Sequence, residues 1–150
     1  MEREDVVETL NDLIENCKDG EYGFRTCAEH ATSSDLKSVF SQRASECQQG
    51  AQELQALVTR FGGTPDTSGS ASGAAHRGWV AVRAAVSTDD DQAMLNECER
   101  GEDIALNRYR KALDQDLPAE VEQVVRRQYD GARRNHDQIK ALRDSNKTLA

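Results

Sequence analysis

The distribution of helical pattern constrains this fold more than any single motif. Residues 5–61 read as two long amphipathic helices with almost no gap between them, and residues 90–143 read as two more. Between the pairs lies an irregular stretch, Gly62 to Asp89. A bundle whose helices alternate up and down needs only short loops. A bundle whose second and third helices run parallel needs a connection that crosses its full length. The pattern therefore predicts one all-α domain over residues 1–150. Two antiparallel helical hairpins are joined in it by a long crossover.

The helices are set by apolar residues spaced three and four apart. The first, over 5–31, presents Val6, Leu10, Leu13, Ile14, Cys17, Phe24, Ala28 and Ala31. Thr32, Ser33 and Ser34 make the turn, with Ser34 as the expected N-cap. The second, over 35–61, carries Leu36, Val39, Phe40, Cys47, Leu54, Leu57, Val58 and Phe61. It stops at Gly62-Gly63 with Pro65 just beyond, a usual C-terminal signature. The run TPDTSGSASG is loop by composition, and 74–86 reads as a short extra helix carrying the only tryptophan, Trp79. The third helix, over 90–115, has its stripe at Met94, Leu95, Cys98, Ile104, Ala105, Tyr109, Ala112 and Leu113. Asp116-Leu117-Pro118 breaks it, and the fourth, over 119–143, carries Val121, Val124, Val125, Ala132, Ile139 and Leu142.

Charge and cysteine usage narrow the function classes. A net charge of -8 argues against nucleic acid as a partner, because phosphate binding needs a basic patch. Arg126, Arg127, Arg133 and Arg134 cluster on the last helix, but neighbouring acids dilute them. No apolar run approaches the roughly 20 residues of a membrane span. The acidic start MEREDVVETL lacks the basic-then-apolar layout of a secretory signal, so a cytoplasmic location is expected. Cys17, Cys27, Cys47 and Cys98 form no C-x-x-C pair and are expected as reduced core thiols.

Chemistry must sit where polar residues interrupt the apolar stripes. In the first helix the face steps from Cys17 to Glu21 to Phe24, and in the third from Cys98 to Glu102 to Ala105. The second offers Arg43 and Glu46, and the fourth Gln128 and His136. Pairing positions symmetrically about each turn puts Glu21 opposite the stretch between Arg43 and Glu46. It puts Glu102 opposite Ala132, and His136 near Glu99. A buried carboxylate costs several kcal/mol unless compensated. Three arrangements would do so. Glu21, Glu46, Glu99, Glu102 and His136 can hold iron, manganese or zinc. Arg43 can neutralise Glu21 and Glu102 in a core polar cluster. The acids can also be partly hydrated. Di-iron bundles use Glu-x-x-His from two helices. Here Cys27, Gly73 and Arg133 stand three positions before His30, His76 and His136, so a complete di-iron centre is not expected. Tyr22, Tyr109 and Tyr129 are expected to bury their rings and hydrogen-bond their hydroxyls.

Several runs carry a likeness. They are NDLIENCKDGEYGF (Asn11–Phe24), HRGW (His76–Trp79), ECERGED (Glu97–Asp103), the Leu117-Pro118 pair and HDQIKALRD (His136–Asp144). Together they resemble a family of small bacterial ferritin-like four-helix-bundle proteins of unassigned function. The resemblance implies a ferritin-like fold and no established reaction. It matches Glu21, Glu99, Glu102 and His136 to the acids and histidine of the family's motifs. The leading expectation is a binding or stress-associated bundle without a complete di-iron centre. Its rivals are a metal-dependent oxidase or peroxide scavenger, and an oligomerising helical scaffold, with a homodimer the simplest assembly.

Overall fold

The computed structural model describes residues 1–66 and 90–149, with side chains to residue 146. Among the described residues the chain is wholly helical. It forms α1 (Arg3–His30), α2 (Ser34–Arg60), α3 (Asp91–Leu113) and α4 (Ala119–Leu149). The expected short helix at 74–86, with His76 and Trp79, lies outside the described residues. No described helix is long and apolar enough to cross a membrane.

Local chemistry explains the helix ends. α2 is capped by Ser33, one residue before the expected Ser34, because its hydroxyl accepts from the Leu36 amide at 3.3 Å. At the other end Gly62 takes a φ of 76°. Its amide reaches Thr59 O and the Gly63 amide reaches Val58 O, each at 3.0 Å. This is the double closure that favours glycine after a helix. A Cβ on Gly63 would lie 2.6 Å from Val7, so the exit is pressed against α1. Asp90 caps α3 by accepting from the Gln92 amide. α4 runs past the expected stop at residue 143. No glycine or proline interrupts its last turns, and Asn146 donates to Gln92 across the hairpin at 2.9 Å.

Side-chain contacts fix the helix directions. Asp91, at the start of α3, accepts from the Thr32 amide and hydroxyl and from the Ser33 amide, all in the α1–α2 turn. Thr9 near the start of α1 bonds Gln115 past the end of α3, and Arg108 lies within 3.9 Å of Asp12, Glu15 and Asp19. Arg60 at the end of α2 pairs with Glu120 at the start of α4. Thus α1 and α4 run one way, and α2 and α3 the other. Asn11 holds the chain leaving α2, accepting from the Asp66 amide and donating to Thr64 O. Asp66 therefore sits beside α1 while Asp90 sits near the opposite end.

The core divides into two apolar clusters. One gathers Leu10, Ile14, Leu54, Val58, Leu106, Val121 and Val125, and the other Phe24, Phe40, Met94, Leu95 and Ile139, with their neighbours. A polar layer lies between them. There α1 and α2 approach closely, because Gly20 faces Cys47 and Gly50 faces Cys17. A Cβ on Gly20 would lie 2.9 Å from the Cys47 sulfur.

Candidate functional site

The polar layer is built from three helices. Glu102 of α3 is the deepest charge, its side chain 2% exposed. Its Oε1 accepts from Arg43 Nε of α2 at 2.8 Å and from Asn135 Nδ2 of α4 at 2.9 Å. Its Oε2 is buried without a hydrogen-bond partner. Arg43 also lies 3.8 Å from Glu46 and stacks over the Phe24 ring, 5.9 Å from its centroid. Burial pulls against the Arg43 charge, but the neighbouring Cys47 sulfur and Glu102 outweigh it and hold its pKa well above the ordinary arginine value.

Sequence pairing places Glu21 in this layer, yet its carboxylate turns along its own helix to Lys18 and Arg25. Gly20 takes the inward position instead. Glu46 is half exposed and touches the layer only through Arg43. Asn135 is a member that sequence reasoning missed. The signal was present, since Ala132, Asn135 and Ile139 continue the stripe of α4 at spacings of three and four. That rotation puts Asn135 inward and carries His136 to the α3–α4 seam.

At the seam His136 meets Glu99 and Asp103, which lie four residues apart on one face of α3. Oxygens of the two carboxylates and a ring nitrogen lie within 4.8 Å of one another. Among the described residues this is the one such group of three. His136 Nε2 is 2.7 Å from Asp103 Oδ1 and 4.0 Å from Glu99 Oε1. This ring nitrogen is buried, and the Asp103 carboxylate is the nearest charged group to it. Arg143 holds the other oxygen of Glu99, and Asp137 lies 3.4 Å from His136 Nδ1. Asp103 was legible only as the residue one turn beyond Glu99.

The four cysteines are all buried free thiols. Cys27 and Cys98 touch across α1 and α3 at 3.7 Å. Burial, with the Cys27 thiol beside it, pushes the Cys98 pKa well up. Burial likewise pushes Cys47 up to about 12, and raises Cys17 despite its contact with the Tyr109 hydroxyl at 3.6 Å. Tyr109 donates to Gln128 Oε1 at 2.9 Å, and Gln128 in turn donates to Glu53. With their pKa values raised, Cys17, Cys47 and Cys98 stay protonated at pH 7 and do not act as thiolate nucleophiles.

These features define an all-α bundle with a polar layer at mid-height and a histidine–carboxylate group on one seam. The chain belongs to the family described as "Domain of unknown function (DUF2383)", whose sequence profile matches residues 5–115. The match spans α1 to α3 and ends before α4, which carries Asn135 and His136. No match to a curated protein was found.

Proposed function

We propose that this chain is a ferritin-like binding protein that holds one divalent transition-metal ion on Glu99, Asp103 and His136. In this reading the arginine–glutamate pair of the core replaces a di-iron centre. Two hairpins with α2 and α3 parallel are the arrangement that one long crossover produces. At mid-bundle the Arg43 guanidinium already compensates Glu102, so the deepest carboxylate has its cation in the protein itself.

One observation carries the metal reading. A buried imidazole nitrogen of α4 lies 2.7 Å from one carboxylate and 4.0 Å from another, both on the neighbouring helix. One imidazole and two carboxylates suit iron, manganese or zinc. An ion bound there supplies Lewis acidity. Arg143 positions Glu99 by occupying its second oxygen, as outer partners of metal ligands do.

Calorimetric titration of chelator-treated full-length protein with Mn²⁺, Zn²⁺ and, anaerobically, Fe²⁺ tests this. One ion should bind per chain, and His136→Ala or Asp103→Asn should weaken it by about tenfold or more. Absence of binding for all three metals, or binding unchanged in both variants, refutes the assignment. Oxygen and peroxide consumption by the iron-loaded protein separates a binding role from an oxidase.

A further inference from the structure

One carboxylate ties the histidine–carboxylate group to the end of α4. Glu99 presents its two oxygens to different partners. Its Oε1 faces His136 Nε2 at 4.0 Å, and its Oε2 is held by Nη1 of Arg143. His136 and Arg143 are seven residues apart, two turns of α4, and so share the face toward Glu99. The Glu99 side chain is 14% exposed and that of Arg143 22%, so water and salt screen this pair less than a surface one.

Apolar packing fades at this end. Ile139 is the last buried residue of α4 among the described residues, and Leu142 is half-buried. The next four residues, Arg143 to Asn146, are polar. They meet α3 through Arg143 on Glu99 and through Asn146 on Gln92 at 2.9 Å. A helix end held by polar contacts near the surface opens locally at small cost. The Arg143 charge is itself compensated. Its Nε and Nη2 lie 3.2 and 3.0 Å from Asp144 Oδ1, so two carboxylates share the guanidinium. Its repulsion of a cation at the seam is therefore weak, and its main effect there is to orient Glu99.

We infer that an ion on Glu99, Asp103 and His136 clamps the C-terminal end of α4 through the Glu99–Arg143 contact. The clamp presupposes the metal site proposed above and gives that site an output: occupancy is reported by the order of the last turns of α4. An ion held by Glu99 restricts the rotation of its carboxylate, which keeps Oε2 facing Arg143. Coupling of this kind is reciprocal. Whatever factor Arg143 adds to metal affinity, the metal adds to the closed state of the helix end.

Zn²⁺ is the probe, added to saturation to the full chain, with hydrogen exchange read by mass spectrometry. Exchange over residues 140–146 should slow by about fivefold or more, while α2, which takes no part in the site, should change little. Arg143→Gln should bind zinc more weakly by a factor of similar size, and zinc should no longer slow exchange over 140–146. The variant should keep α4, because glutamine forms helix about as well as arginine. If calorimetry finds no zinc binding to the wild-type chain, the metal site fails and the clamp with it. If zinc binds but exchange over 140–146 is unchanged, or slows equally in all four helices, the clamp alone is overturned. Tighter zinc binding by Arg143→Gln also overturns it, since Arg143 would then act only as a competing cation.

Discussion

Replacing Arg43 by leucine tests the polar layer most directly. The substitution removes the 2.8 Å charge-assisted bond to Glu102 and the stacking over Phe24, while Asn135 remains. Glu102, 2% exposed, must then stay charged without a cation or take up a proton. Breaking one partner from a buried ion pair costs about 3–5 kcal/mol. Proton uptake sets a ceiling. Neutralising a glutamate of ordinary acidity, near 4.3, at pH 7 costs about 3.7 kcal/mol, at about 1.4 kcal/mol per pH unit. The expected loss is therefore about 3–4 kcal/mol. Urea unfolding followed by circular dichroism at 222 nm reads it. The deficit should shrink on going from pH 7 to pH 5, because proton uptake becomes easier there. The sign follows from linkage: a variant that binds a proton on folding loses stability as pH rises. Arg43→Leu with Glu102→Leu should recover most of the loss, since an apolar pair can replace a buried ion pair. A loss below about 1 kcal/mol at pH 7, or no recovery in the double variant, would refute the reasoning.

Two further outcomes follow from the helix contacts and the thiols. Gly20→Ala should destabilise by about 1–3 kcal/mol, because its Cβ falls 2.9 Å from the Cys47 sulfur. In a Cys47→Ala background the same change should be neutral or stabilising, and additive losses in a double-mutant cycle would contradict this. The thiols should be silent toward a disulfide reagent at pH 8 in the native state and react fully in urea. Cys47 is held at about 12 and is therefore a protonated thiol there. With the folded values of Cys17, Cys47 and Cys98 raised above unfolded ones, their contribution is complete below about pH 8.5 and is lost as pH rises toward 12. Rapid native-state labelling, or flat stability from pH 9 to 11, would contradict the burial argument.

Much of the bundle was legible because helix formation follows from local periodicity. The stripe through Leu10, Leu13, Ile14 and Cys17, the glycine stop at Gly62 and the break at Leu117-Pro118 set the described helices to within a few residues. The exception is the end of α4, where a polar stretch without a stop residue continues the helix because the hairpin partner holds it. The site was less legible. One residue along a helix is a rotation of about 100°. Small errors of phase therefore exchanged Gly20 for Glu21 as the inward residue, and Asn135 for His136.

The sequence by itself determined the all-α class, the two hairpins and an acid within the core at Glu102, because periodicity and the crossover gap are local properties of the chain. Only tertiary packing decided which group answers that acid. Arg43 reaches Glu102 because α2 and α3 run parallel at the right height. Glu21 turns to Lys18 and Arg25 because Gly20 sits against Cys47. His136 meets Glu99 and Asp103 because the phase of α4 carries it to the α3–α4 seam. Charge compensation acts over a few ångströms between helices distant in sequence, and that distance is set only when the bundle closes.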